Sequence, residues 1–149
     1  MKKTNKDNLL ISDVIADSLG IAFKNEEFSL GKWGEVDNWC ELGHDTIILL
    51  ECEKGQKHPN TNVLKLFPYL EQFPLVHVIL IHYFFPENKA PKNRIALCKF
   101  ISEKMVENFG PRFQYIYLKC NVDCISDELS KDLNSIIFLP YRKKTSNSN

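Results

Sequence analysis

A predicted β-hairpin over residues 34–54 constrains the fold of this chain more than any other feature of the sequence. Residues 47–50 are an unbroken apolar run, which is typical of a strand that is buried on both faces. A loop of three residues, 43–45, pairs Leu42 with Thr46 across the hairpin. A loop of two or four residues would shift this pair and every other pair along the hairpin, so the register is itself a prediction.

The three-residue loop gathers four carboxylates on one face of the hairpin. Asp37 then faces Glu51 and Glu35 faces Glu53, because side chains alternate between the two faces of a strand. Two like charges about 4 Å apart repel by roughly 4 kcal/mol at an effective dielectric constant near 20, so the cluster needs a positive partner. A hard divalent cation that prefers oxygen ligands, such as Mg²⁺ or Mn²⁺, meets that need.

The acidic hairpin also has a simpler interpretation. Acidic side chains on a solvated edge hairpin discourage aggregation and need no ligand. A different loop length would support that interpretation, because it would place Glu51 beside Val36 or Asn38. Against it, Glu51 directly follows the apolar run, and a carboxylate at the end of a buried strand needs a partner that a surface carboxylate does not.

Composition indicates a single intracellular domain. The 149 residues are 44% hydrophobic and 26% charged, which suffices for one core at a common domain size. There is no run of 18 or more apolar residues, so we expect no membrane span, and we expect no secretion signal. Five cysteines without CxxC spacing indicate buried thiols and a cytoplasmic location. The 19 basic and 19 acidic residues balance, so binding to a polyanion requires a local patch.

Periodicity predicts an α/β fold with a mixed central sheet flanked by helices. Helical spacing occurs in residues 8–20, 63–73 with a bend near Pro68, 94–109 and 127–133. Strands are predicted at residues 28–33, in the two arms of the hairpin, and at 75–84, 113–119 and 136–139. We therefore expect one domain over residues 1–142, followed by a disordered basic and polar tail at 143–149.

The element order and the acidic hairpin together resemble the PD-(D/E)XK nuclease superfamily, which has the restriction-endonuclease-like fold. The resemblance covers residues 8–119 and an α-β-β-β-α-β-α-β core. In that superfamily the second and third strands carry an acid, a gap of ten or more residues, and then acid-x-lysine. Here Asp37 matches the first acid, and Glu51 follows after the 13 residues 38–50. Glu53 stands where the motif has lysine, a change that some similar restriction enzymes also carry.

The resemblance implies hydrolysis of DNA phosphodiester bonds by a water molecule that Mg²⁺ or Mn²⁺ activates. Asp37 and Glu51 would bind the metal directly. Glu53 would bind a second metal or act as a base for the water. Lys54 would supply the missing cation, with Lys65 on the following helix as a more distant substitute.

A polar and basic cluster follows the hairpin and is predicted to contact phosphates: Gln56, Lys57, His58 and Lys65. For Lys54 and Lys57 the simpler interpretation is surface solubility, and for His58 it is a role in the turn before the helix. The predicted partner is DNA. Small enzymes with this fold often form homodimers, but no interface can be identified in the sequence.

Two alternative functions stay open. The missing motif lysine favours a catalytically inactive member of the fold that binds nucleic acid or a protein partner. The other alternative is an unrelated α/β domain whose acidic hairpin is only surface. Metal binding would separate the first two hypotheses from the third.

Overall fold

The computed structural model describes residues 6–133, so the predicted strand at 136–139 and the predicted tail lie outside the described residues. The described elements, in chain order, are α1 (Lys6–Leu19), β1 (Phe28–Ser29), β2 (Glu35–Val36), β3 (Asn38–Leu42), β4 (Thr46–Glu53), α2 (Asn60–Leu64), α3 (Leu66–Gln72), β5 (His77–Phe84), α4 (Lys92–Phe109), β6 (Phe113–Lys119) and α5 (Ile125–Leu133).

Within residues 6–133, the central sheet has four strands in the order β3-β4-β5-β6. β3 and β4 are antiparallel, whereas β4, β5 and β6 run parallel to one another. Parallel neighbours need a crossover connection, which α2 and α3 provide between β4 and β5, and α4 provides between β5 and β6. The predicted α/β class with a mixed sheet and flanking helices is therefore confirmed.

The hairpin of β3 and β4 has the predicted three-residue loop, which begins at Gly43. Gly43 has a φ of 74°, a conformation that strains residues with a Cβ and favours glycine. Trp39 pairs with Leu49, in the predicted register. The ladder extends no further than Asn38, because the chain bends at Asp37 before it reaches the position opposite Glu51.

The segment before β3 differs from the prediction. The predicted strand at 28–33 ends at Ser29, and residues Gly31–Trp33 form a 3₁₀ turn. After this turn β2 pairs back onto β1, with Glu35 opposite Ser29. The predicted pairing of Glu35 with Glu53 is therefore wrong, because β2 belongs to a separate two-stranded sheet.

The central sheet separates two apolar cores, which follow the alternation of side chains along β4. Ile48 and Leu50 lie in a core with α1 and α5, and we call this side of the sheet the α1 face. Leu49 lies in a core with α2, α3 and α4, and we call this side the α4 face. Both cores contain completely buried aliphatic side chains, so β4 is covered by helices on both sides.

The helix predicted at 63–73 is divided into α2 and α3. Pro68 has no backbone N–H and therefore cannot donate a hydrogen bond to the carbonyl of Leu64, where α2 ends. Val63 and Leu66, on either side of the division, are both buried in the core of the α4 face. Lys65 lies at the junction itself, next to the carboxyl end of β4.

α4 is the longest of the described helices and lies across the α4 face. Cys98 and Met105 face the sheet and are buried, whereas Leu97 and Phe100 are exposed on the opposite side. Within residues 6–133, no helix combines the length and the hydrophobicity that crossing a bilayer requires.

Candidate functional site

Two buried glutamates stand at the carboxyl end of β4. Glu51 is 9% exposed and Glu53 is 0% exposed. They are two residues apart, so both side chains lie on the α4 face, in line with Leu49. Cys52, between them, packs into the core of the α1 face. A buried carboxylate is costly without hydrogen bonds or a positive charge, so the partners of these two side chains define the site.

Lys65 supplies the positive charge for Glu51. Its Nζ lies 2.6 Å from Oε1 of Glu51, and both side chains are largely buried. The same ammonium donates to the backbone carbonyl of Glu35 at 2.8 Å and to Oδ1 of Asn62 at 3.0 Å. An ammonium has three N–H donors, so Lys65 is fully hydrogen-bonded between β2, β4 and α2.

Glu53 is held by a different set of side chains. Its Oε1 accepts a hydrogen bond from Nδ2 of Asn62 and lies 2.8 Å from Nε2 of His82. Nδ1 of His82 lies 2.8 Å from the hydroxyl of Tyr115. Among the described residues, Oε2 of Glu53 has no hydrogen-bond partner although it is buried. Asn62 thus links the Glu53 group to the Lys65–Glu51 pair.

Burial has a large effect on the charge of Glu51. Desolvation raises the pKa of its carboxyl from 4.5 to about 7, and the nearby charges of Glu53 and Asp37 act in the same direction. Lys65 opposes this rise through its charge and its hydrogen bond. Asp37 is exposed, yet it lies close enough to influence Glu51 electrostatically. The site therefore contains an acid that titrates near neutral pH.

Two neighbouring groups stay neutral. Burial raises the pKa of Tyr115 far above its ordinary value, so its hydroxyl keeps its proton. Burial likewise raises the pKa of the Cys52 thiol, and the charges of Glu51 and Glu53 add to the effect. Neither group is therefore an available anion at the site.

The structure does not bring Lys54 to the two glutamates. Lys54 directly follows Glu53, so the two side chains lie on opposite sides of the strand. The ammonium of Lys54 pairs with Asp7 of α1. It also lies over the ring of Phe85, 5.6 Å from the centroid, beside the α1 face. The predicted role of Lys54 as the cation of the site is corrected accordingly, because Lys65 is the lysine that contacts Glu51.

The other predicted phosphate-binding residues lie around the rim of the site. Gln56 is exposed and joins the network through Oε1, which accepts from Nδ2 of Asn62 at 3.3 Å. Lys57 and His58 are exposed. The carbonyl of His58 accepts from the hydroxyl of Thr61 at 2.8 Å, which fits the turn role weighed for this residue.

Sequence reasoning missed Asn62, His82 and Tyr115. Asn62 and Lys65 are three residues apart in the segment that was predicted to begin a helix after the hairpin, so their proximity could have been predicted from the sequence. His82 is a polar residue inside an apolar strand, which also signals a buried partner. Tyr115 gave no such signal, because its strand simply alternates.

The carboxylates of the site are chemically suitable ligands for a divalent cation. Asp37, Glu51 and Glu53 offer the oxygen ligands that Mg²⁺ and Mn²⁺ prefer, and Oε2 of Glu53 is a buried oxygen without a partner in the described part of the chain. In the arrangement described, Lys65 neutralises Glu51. No three His, Cys, Asp or Glu side chains within residues 6–133 are grouped closely enough to hold one ion.

Comparison with known proteins gives no match: no family model, no curated protein and no solved structure matches this chain. The resemblance to the PD-(D/E)XK superfamily therefore stays a prediction.

Proposed function

We propose that this chain is a metal-dependent nuclease with a restriction-endonuclease-like fold, which hydrolyses phosphodiester bonds in DNA at the carboxyl end of β4. The observation that carries the proposal is the buried ion pair of Lys65 with Glu51, beside Glu53 and close to Asp37. Three acids and one lysine thus stand near the end of a central strand. The lysine that the sequence motif lacks comes from the junction of α2 and α3.

Asp37, Glu51 and Glu53 would hold Mg²⁺ or Mn²⁺, which when bound supplies an activated water and neutralises charge on the phosphate. Glu53 has the role of a fixed ligand, because hydrogen bonds hold one of its oxygens and leave the other without a partner in the described structure. Glu51 has the role of an adjustable ligand, because a pKa of about 7 lets a nearby cation favour its charged form.

Lys65 has the role that the motif lysine has in the superfamily. Its ammonium lies within hydrogen-bonding distance of Glu51, so it brings a positive charge to the place where a phosphate and its attacking water would meet. Gln56, Lys57 and His58 line the exposed side of this place and would contact the DNA backbone. Because the net charge of the chain is zero, we expect weak, salt-sensitive DNA binding.

A catalytically inactive member of the fold that binds nucleic acid or a protein partner is the second candidate. The same ion pair favours it, because Lys65 neutralises Glu51 without a metal. In addition, no three acidic side chains of the described residues are close enough together to form a metal site before a metal binds.

The test is a cleavage assay on linear, single-stranded, flapped and four-way-junction DNA, with Mg²⁺, with Mn²⁺ and with a chelator. Asp37→Ala and Glu51→Ala are compared with Glu41→Ala, which removes an exposed acid of β3 outside the site. We expect metal-dependent cleavage by the wild type and by Glu41→Ala, and none by the other two variants. A wild type that cuts no substrate contradicts the proposal, and retardation of one substrate on a gel would then favour the inactive module.

A further inference from the structure

His82 and Tyr115 form a second layer of hydrogen bonds behind Glu53. The three residues come from three adjacent parallel strands, β4, β5 and β6. The side chains of His82 and Glu53 are both completely buried. The hydroxyl of Tyr115, the imidazole of His82 and the carboxylate of Glu53 are joined by two contacts of 2.8 Å each. The chain of contacts ends at the one oxygen of Glu53 that Asn62 also holds.

The donors in this chain can be assigned from chemistry. An ionised carboxylate only accepts hydrogen bonds, so Nε2 of His82 must carry the proton that points at Glu53. In the neutral ring Nδ1 is then an acceptor, and the hydroxyl of Tyr115 donates to it. Burial keeps that hydroxyl protonated by raising the pKa of Tyr115. With Glu53 ionised and the His82 ring neutral, the hydrogen bonds run in one direction, from Tyr115 through His82 to Glu53.

We propose that His82 and Tyr115 are positioning residues for Glu53: Tyr115 keeps the His82 proton on Nε2, and this N–H, together with Asn62, fixes Oε1 so that Oε2 alone faces the ligand. The use of Oε2 rests on the proposed nuclease function, whereas the fixed orientation of Glu53 does not. Partners of ligating carboxylates act in this way at many metal sites.

The positioning role must be separated from simple packing. The ring of His82 lies against Phe84, with centroids 4.5 Å apart, and against Tyr115, with centroids 5.7 Å apart. Loss of these contacts would destabilise the fold whether or not the hydrogen bonds matter. A test therefore needs a signal that reports the position of the proton and a variant that keeps the donor.

The first part of the test is ¹⁵N NMR of the full chain labelled at its four histidines, with His82→Gln used to assign the His82 signals. We expect the proton on Nε2 in the wild type and a mixture of tautomers in Tyr115→Phe. Tyr117→Phe is the matched control, because Tyr117 lies on the same strand, opposite His82, whereas the hydroxyl that meets Nδ1 of His82 belongs to Tyr115. A proton on Nδ1 in the wild type, or an unchanged ring in Tyr115→Phe, overturns the proposal.

The second part compares His82→Gln, which keeps a side-chain N–H near Nε2, with His82→Leu, which has none. Mn²⁺ affinity and DNA cleavage should fall by about 10–100-fold in His82→Leu, the usual effect of losing such a partner, and by clearly less in His82→Gln. Equal losses in both, at matched Tm, overturn the positioning role. A wild type that neither binds Mn²⁺ nor cuts DNA contradicts the nuclease instead, while the NMR result still decides whether His82 fixes Glu53.

Discussion

At the carboxyl end of β4, the two faces of the central sheet carry different kinds of side chain. On the α1 face the apolar core continues from Leu50 to Tyr83 and Phe85, and Cys52 packs against it. On the α4 face the core gives way to Glu51 and Glu53 with their hydrogen-bond partners. Both ends are covered by helices, so burial alone does not distinguish them. The two faces of β4 therefore differ in chemistry: one ends in apolar packing, and the other ends in buried carboxylates that need hydrogen bonds or a positive charge.

Two lysines repeat this contrast. Lys65, on the α4 face, is 14% exposed and pairs with a buried glutamate. Lys54, next to the α1 face, is 48% exposed and pairs with an exposed aspartate. The surroundings of the two ion pairs affect their strength. Water largely screens the exposed pair of Lys54, whereas the buried pair of Lys65 is screened much less. Substitutions on each face test whether the two faces differ in function as they differ in chemistry.

The largest expected effect is on cleavage, in variants of the two glutamates. Glu51→Gln and Glu53→Gln should each lower the cleavage rate by more than about 100-fold, because loss of a metal ligand should exceed the 10–100-fold effect of losing an outer partner. Cys52→Ala, between them but on the α1 face, should keep the wild-type rate. Single-turnover rates in Mg²⁺ measure this, and a comparable loss in Cys52→Ala would erase the distinction between the faces.

The two lysines give the next largest effect. Lys65→Met should abolish cleavage and lower the free energy of unfolding by about 3 kcal/mol at pH 8, because Glu51 is left buried without its cation. The matched variant Lys54→Met should leave both quantities unchanged, since Lys54 is exposed. Denaturant titration and cleavage rates are the measurements. Loss of cleavage in Lys54→Met with activity retained in Lys65→Met would restore Lys54 as the motif cation.

The pH dependence of stability should reveal Glu51. Its pKa is raised from 4.5 to about 7 in the folded state, so the unfolded chain releases this proton first as the pH rises. The contribution of Glu51 to stability is therefore fully present below about pH 4.5 and is lost as the pH rises to about 7. The full difference corresponds to about 3 kcal/mol.

Denaturant titrations without metal, from pH 4 to pH 8, measure this loss as the difference between the wild type and Glu51→Gln. A difference that is constant across this range would show that Glu51 has an ordinary pKa. Such a constant difference would also weaken the contrast between the two faces of the sheet, because burial would then have no effect on the charge of Glu51.

The smallest effect is expected on the α1 face. The hydroxyl of Tyr83 donates to the backbone carbonyl of Cys120 at 2.6 Å. Tyr83→Phe should therefore lower the free energy of unfolding by about 1 kcal/mol and leave cleavage unchanged, because it removes one hydrogen bond on the opposite face of the sheet from the charged cluster. Thermal unfolding and cleavage rates test this, and reduced cleavage at unchanged stability would extend the functional site to both faces.

The sequence predicted the hairpin and the pairing of Trp39 with Leu49, but it misplaced Glu35, which pairs with Ser29 and does not face Glu53. A three-residue loop and the alternation of side chains along β4 were sufficient for the part of the register that the structure shows. The same alternation could have excluded Lys54, because residues 51 and 53 share one face and residue 54 lies on the other. The bend at Asp37 and the return of β2 onto β1 depend on tertiary contacts that no local pattern reports.

The second layer of the site lay beyond sequence reasoning for a different reason. His82 meets Glu53 only because β5 pairs with β4 in a parallel register that places His82 opposite Glu51. Tyr115 joins through the register of β6 on β5. Parallel strands are joined by long crossovers rather than by tight turns, so their registers cannot be derived from loop length. Such a network becomes visible only when the sheet is assembled.

Binding of Mn²⁺ tests most directly whether the α4 face at the end of β4 is a metal site. Electron paramagnetic resonance of free Mn²⁺, titrated with the wild type and with the Glu51→Gln/Glu53→Gln double variant, measures it without requiring the right DNA substrate. We predict saturable binding by the wild type and none by the double variant, with a folded protein in both cases. A wild type that leaves all Mn²⁺ free, or a double variant that binds it equally well, would contradict the account.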